Sequence, residues 1–227
     1  MIQGGEISSS KGFNLPNTNI SQPALTDKDI EDAIFSAKQN VDWIALSFVR
    51  HASDVKSLIK LIEKNTDHRI PVIAKIEKPE GVRNIDEIMK QASGIMVARG
   101  DLGVEIDAAE VPLIQKKLVY KAKKARIPVI IATQMMESMM ESLNPNRAEV
   151  NDVANSVMDG ADAVMLSIFL TVGEHPVEVV QAISKIIGKV ENSSLISLKH
   201  KHPTDYDSDR FITKSICYYA AKIANDT

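Results

Sequence analysis

Five short apolar runs alternate with segments of helical period, and that order limits the folds open to this chain more than any other feature. Residues 41–48, 71–77, 94–98, 127–132 and 161–166 read as strands. The segments between them place apolar residues at three- and four-residue spacing, the pattern of amphipathic helices. Thr26, with Asp29 three positions on, has the form of a capping box and opens a helix running to about Gln39. Ser53 or Asp54 caps the next, with Val55, Leu58, Ile59 and Ile62 on one face. Helices are also expected over 83–91, 111–125, 147–158, 177–190 and 209–225, and a tight loop over 100–103. Such repetition implies parallel strands joined by right-handed helical crossovers.

Two topologies use that unit, the open doubly wound sheet and the closed eight-stranded barrel. The chain has neither a G-x-G-x-x-G turn after a strand nor a G-x-x-x-x-G-K-S/T phosphate loop, which counts against a nucleotide-binding open sheet. Polar residues gather instead at the carboxyl ends of strands: Ser47 and Arg50, Lys75 and Glu77, Arg99 and Asp101, Thr133 and Gln134, and Ser167. A barrel brings those ends to one mouth, where barrel active sites are built. The fold class expected is therefore α/β of the (β/α)8 TIM-barrel type. It is incomplete, with about five to six strand–helix units where a full barrel has eight. The open strand edges of a partial barrel are a hazard for edge-to-edge association.

Bulk properties narrow the function classes. Hydrophobic residues are 44% and charged residues 25% of the 227, the profile of a globular protein. A formal net charge of -3 gives no global attraction to nucleic acid or to an anionic membrane. The lone Cys217 has no internal disulfide partner, which fits a reducing compartment. The first residues lack the apolar core of a signal peptide, and no apolar run approaches the roughly 20 residues that span a bilayer. A cytoplasmic location is expected.

The chemistry concentrates between Pro71 and Gly103. Side chains alternate along a strand, so Lys75 and Glu77 point to the same side. Glu77 and Asp101 leave consecutive strands of one unit, where adjacent parallel strands would bring both carboxylates to one cation. Two carboxylates in oxygen-rich company suit Mg2+ or Mn2+, which keep waters and take substrate oxygens. The competing reading is structural, with Glu77 paired to Lys75 and Asp101 to Arg99. A strand lysine facing a barrel interior needs an anion, and Lys75 could stabilise an enolate or a transferring phosphoryl group as readily as neutralise Glu77. The Gly100–Gly103 backbone could hold a carboxylate or phosphate, or be only a turn. Thr133 could donate to the same anion, or simply satisfy its own strand end. The cluster Met135, Met136, Met139 and Met140 reads as core or interface, the lysines of 116–124 as a solvated face, and the five histidines show no metal spacing.

These strand ends, taken together, resemble the pyruvate kinases. The matching stretches are K-G-F-N-L-P (11–16), D-W-I-A-L-S-F-V-R (42–50), I-A-K-I-E-K-P-E-G (73–81) and I-M-V-A-R-G-D-L-G-V-E (95–105). They continue with I-I-A-T-Q-M (130–135), P-N-R-A-E-V-N-D-V-A-N (145–155) and D-G-A-D-A-V-M-L-S (159–167), in family order over about 11–190. The resemblance implies a barrel that transfers phosphate from phosphoenolpyruvate to ADP, making pyruvate and ATP in glycolysis. It implies that Lys75 stabilises the transferring phosphoryl group and the enolate. It assigns Mg2+ to Glu77 and Asp101, and the substrate carboxylate to Gly100, Asp101 and Thr133. Phosphoryl transfer depends mainly on such positioning and charge neutralisation. The resemblance also implies K+ and a homo-oligomer, a tetramer in full-length members.

The departures are as informative. Nothing matches the family's two opening barrel strands, whose arginine and asparagine serve phosphate and K+, so the K+ ligands are absent. The division expected is a remnant of a lid-domain return segment at 1–13, a partial barrel at 14–193, a linker at 194–208 and the start of a C-terminal domain at 209–227. A chain so shortened is expected to have weak or no activity alone. After the last strand, where the family has S-G-E-T-A-V-G, this chain reads Ser167-Ile168-Phe169-Leu170-Thr171-Val172-Gly173. Two other readings stay open: a non-catalytic paralogue that binds a partner chain through its open edge or residues 168–170, and a Mg2+-enolate lyase or aldolase on a similar barrel.

Overall fold

The computed structural model describes residues 24–167, 173–193, 203–204, 206–207 and 209–226. The segment 1–13, the altered stretch 168–170 and most of the linker lie outside the described residues. The elements run α1 (Asp27–Lys38), β1 (Ile44–Leu46), α2 (Ala52–Asn65), β2 (Val72–Ile76), α3 (Pro79–Arg83), α4 (Ile85–Met89), β3 (Gly94–Ala98), α5 (Arg99–Glu105) and α6 (Val111–Ala125). They continue with β4 (Val129–Ala132), a 3-10 turn (Glu137–Met140), α7 (Arg147–Asp159), β5 (Ala163–Met165), α8 (Pro176–Glu191) and α9 (Phe211–Asp226).

The five strands are parallel and their spatial order follows the chain, β1-β2-β3-β4-β5. A doubly wound sheet reverses order at a switch point. An unreversed order, each strand followed by helix, is the barrel arrangement, and the five-stranded sheet does not close on itself among the described residues. No described helix is long and apolar enough to cross a membrane.

The period of two along each strand sorts the side chains into two faces. Val72, Ala74 and Ile76 of β2, Ile95 and Val97 of β3, and Val129 and Ile131 of β4 join the core beneath the helices. There they meet Val55, Leu58 and Ile62 of α2, Ile85 and Ile88 of α4, and Leu118, Val119 and Ala122 of α6. Burial of such a side chain contributes about 1.5–3 kcal/mol. Lys75, Met96, Ile130 and Ala163 lie in register across β2 to β5, on the alternate positions that face away from this core. The sheet thus sets Lys75 on the interior side. Met135, Met136 and Met139 are buried in the core, as their apolar character implies.

Local signals explain most element boundaries. Thr26 caps α1, its hydroxyl accepting from Asp29 N at 3.2 Å while Asp29 Oδ2 accepts from Thr26 N at 2.8 Å. Asn146 and Glu149 form the same reciprocal box at α7, and Gly160 ends that helix at φ 101°. Strand β1 is only Ile44–Leu46, shorter than the expected 41–48, because the backbone turns left-handed at Phe48, and three helical boundaries also differ. Helix α2 starts earlier, after His51, because Asp54 accepts from Arg50 N and His51 N and so serves as the third helical residue. The single helix expected over 83–91 is two short ones joined at Asn84, whose amide is drawn aside to donate to Arg50 O at 2.9 Å. The loop expected over 100–103 lies inside helix α5, which begins directly at Arg99.

Candidate functional site

Lys75 and Glu77 come together as their shared strand face requires. Lys75 Nζ lies 2.7 Å from Glu77 Oε1 and donates to Ser47 Oγ at 2.9 Å. The lysine side chain keeps 24% exposure and the glutamate only 1%, so the pair is withdrawn from water mainly on the carboxylate side. Glu77 Oε2 accepts from Phe48 N at 2.7 Å. Phe48 sits at φ 54°, left-handed backbone that costs a non-glycine residue about 1 kcal/mol. The charge-assisted bond to the buried carboxylate offsets that cost, and the kink ends β1 after Leu46.

The end of β3 behaves differently. Arg99 does not pair with Asp101. Its guanidinium is buried and donates to Asp152 Oδ1 at 2.6 Å, Thr133 O at 2.8 Å and Gln134 O at 3.1 Å. Thr133, Gln134 and Met136 all have left-handed backbone, at φ 66°, 52° and 60°. Arg99 fastens the start of this strained turn. Asp101 is exposed and makes no ion pair among the described residues. Of the two structural pairings weighed from the sequence, the Glu77–Lys75 contact is present and the Asp101–Arg99 contact is not.

Gly100 and Thr133 meet directly. Gly100 N donates to Thr133 Oγ1 at 2.6 Å, and the hydroxyl donates to Ala132 O at 2.6 Å. A Cβ at Gly100 would lie 3.2 Å from that hydroxyl oxygen, so the glycine permits the approach. The two groups expected to receive a carboxylate are here bonded to each other.

The donor set fits a hard divalent cation. Each Glu77 oxygen uses one acceptor position on a protein donor, leaving lone pairs free. Asp101 offers an exposed carboxylate in the first turn of α5, after the neighbouring strand. No group of three or more His, Cys, Asp or Glu is placed to hold a metal among the described residues. Mg2+ is commonly bound through one or two carboxylates plus waters and substrate oxygens.

Ser47, one of the polar strand-end residues, joins this cluster, and Phe48, Lys78 and Glu105, which the sequence did not single out, touch it as well. Lys78 Nζ donates to Glu105 Oε1 at 2.5 Å and lies 5.8 Å from the Phe48 ring centroid. The position of Ser47-Phe48 just past a strand was the available signal. A cleft of about 540 Å³ between α5, α6 and α7 is lined by Arg99, Gln115, Asp152 and Asp159 among others, but not by Lys75, Glu77, Asp101 or Thr133.

Comparison with known proteins adds an independent line. The family model for the pyruvate kinase barrel domain matches residues 1–180. A pyruvate kinase of Mycobacterium intracellulare is 50% identical over 194 residues, covering 86% of this chain and 41% of that protein. Pyruvate kinase 2 of Synechocystis sp. is 49% identical over 195 residues, 86% of this chain and 33% of that protein. The pyruvate kinase of Geobacillus stearothermophilus is 49% identical over 193 residues, 85% of this chain and 33% of that protein. The chain thus spans about a third to two-fifths of the length of the curated relatives it matches. With the barrel-domain match over residues 1–180 and half of the aligned positions identical, the chain belongs to the pyruvate kinase family.

Proposed function

We propose that the chain carries the cation-binding and substrate-carboxylate half of a site that transfers phosphate from phosphoenolpyruvate to ADP, yielding pyruvate and ATP. The observation that carries this reading is Lys75, its side chain still 24% exposed and its ammonium held beside the buried Glu77 carboxylate on the interior face of the sheet. Support comes also from family membership and from relatives named pyruvate kinase. In this reading the bond between phosphorus and the enol oxygen breaks as one to a terminal ADP oxygen forms. The enolate left behind then takes a proton at its methylene carbon. Lys75 neutralises charge on the phosphoryl group in flight and on the enolate oxygen.

Glu77 and Asp101 would hold Mg2+ or Mn2+, which when bound supplies Lewis-acid stabilisation to substrate oxygens. Gly100 N, the Asp101 backbone and the Thr133 hydroxyl would receive the substrate carboxylate. Thr133 would turn its hydroxyl from Ala132 O toward the ligand, and Gly100 N would exchange Thr133 Oγ1 for it. No residue of the chain is assigned to K+. The proposal includes a cytoplasmic, homo-oligomeric protein and the division into segments at 1–13, 14–193, 194–208 and 209–227.

The test is phosphoenolpyruvate-dependent ATP formation with Mg2+ and K+, comparing the unaltered protein with Lys75→Met. Loss of one charge-stabilising donor is expected to lower kcat by about 10²–10³-fold or more. The chain alone is expected to be weakly active, so the comparison is made at a rate measurable above background; equal measurable rates in the two proteins would contradict the role given to Lys75. Exchange of the pyruvate methyl protons without any ADP-dependent step would point instead to an enolate lyase.

A further inference from the structure

We propose that Lys78 and Glu105 form a positioning pair that holds helix α5, and with it Asp101, against the end of β2 where Glu77 sits. The inference rests on reading Glu77 and Asp101 as divalent-cation ligands. Lys78 Nζ and Glu105 Oε1 are 2.5 Å apart, with side-chain exposures of 17% and 7%. An exposed ion pair contributes little, but this one is withdrawn from water, so removing either partner strands the other's charge. The Lys78 ammonium also lies within cation–π range of Phe48, at 5.8 Å from the ring centroid. One side chain therefore spans the segments that follow three consecutive strands: Phe48 after β1, its own position after β2, and Glu105 after β3.

The geometry of α5 gives that span its consequence. The helix has seven residues and no side-chain cap at its start. Helices this short are not stable by themselves, so tertiary contacts must set the orientation of α5. Arg99, its first residue, is fastened to the turn after β4 and to Asp152 on α7. Glu105, its last residue, is fastened through Lys78 to the end of β2. Asp101 lies between these two anchors, four positions before Glu105 and so on the same helix face one turn away. A cation shared by Glu77 and Asp101 needs a fixed separation between them, and Mg2+ tolerates little departure from octahedral geometry. Lys78 is the residue after Glu77, so the pair ties the two ligand-bearing segments directly together. Lys78 and Glu105 act through the placement of Asp101, not on the reacting atoms.

Two readouts on the full chain test this: amide hydrogen exchange, and Mn2+ affinity from the electron paramagnetic resonance of the free ion. Lys78→Met is expected to speed exchange across Gly103–Ile106 while helix α2 keeps its protection. It is expected to weaken Mn2+ binding about 10-fold or more, as loss of a group that orients a metal ligand does. Lys78→Arg is expected to restore both. Unchanged exchange across α5 in Lys78→Met would overturn the proposal. So would equal acceleration in α5 and α2, which marks general loss of stability, and so would unchanged Mn2+ affinity with a loosened α5. Absence of Mn2+ binding to the unaltered chain would defeat the cation reading, and the exchange result would still decide whether the pair holds α5.

Discussion

Strands β2 and β3 end in similar charge pairs, Lys75 and Glu77 on one, Arg99 and Asp101 on the other, each two residues apart. Their fates diverge. At β2 the backbone stays extended through Ile76, so both charges project to one side and meet at 2.7 Å. At β3 the helix α5 begins at Arg99, so the period changes from 2 to 3.6 within the pair. Arg99 turns inward onto the carbonyls of Thr133 and Gln134 and onto Asp152, while Asp101 is left exposed. The same two-residue spacing yields a contact pair in one place and, in the other, a structural fastener beside an exposed carboxylate. What decides is whether the strand continues or a helix starts.

The sharpest way to break this contrast is to remove Arg99. Arg99→Met takes the donors from two buried-side carbonyls in a strained turn and the partner from Asp152, a carboxylate 33% exposed. An expected cost of about 3 kcal/mol should be visible in urea unfolding, the lower end for breaking a buried pair. Asp101→Asn, two residues on, should change stability by no more than about 0.5 kcal/mol. Equal losses in the two variants would show that Arg99 is not the fastener.

Glu77→Gln probes the β2 end. The amide oxygen can still accept from Phe48 N, but Lys75 loses its counter-charge, and a cost of about 1–2 kcal/mol is expected by the same unfolding measurement. Gly100→Ala probes how tightly β3 and β4 are joined. A new Cβ would stand 3.2 Å from Thr133 Oγ1, which cannot retreat without giving up its 2.6 Å bonds to Gly100 N and Ala132 O. A net destabilisation of about 1 kcal/mol is expected despite alanine's helix preference, read as a lower melting temperature.

The smallest effect lies away from the mouth, at the cap of α1. Thr26→Ala is expected to cost about 1 kcal/mol or less. The hydroxyl of Thr26 and its backbone N–H hold the Asp29 carboxyl below the usual carboxylate value. A depressed folded pKa stabilises above the unfolded value and loses that contribution as pH falls through the folded one. The gap between unaltered protein and Thr26→Ala should therefore close in acid, below the ordinary carboxylate range. A gap independent of pH would remove Asp29 from the cap.

Much of this was legible in the residues themselves. Alternating apolar strands and amphipathic helices gave the parallel α/β order, and the period of two placed Lys75 beside Glu77. Thr26 and Asp29 announced their helix start. Three features were not readable, each for a physical reason. The break at Asn84 depends on a hydrogen bond to Arg50 O, 34 residues away in the chain. The start of α5 at Arg99 overrides two glycines whose composition favours a turn. The left-handed residues Phe48, Thr133 and Gln134 are held there by distant partners, Glu77 and Arg99, and carry no local signature.

The claim that the β2 end and Asp101 form one cation site is tested most directly by Mn2+ affinity in Asp101→Asn. This substitution is expected to leave stability nearly unchanged, so a change in affinity reports the site itself. A loss of about 10-fold or more relative to the unaltered chain is predicted, with an unchanged melting temperature. Equal affinity in the two proteins would contradict the assignment of Asp101 and leave Glu77 as no more than the partner of Lys75.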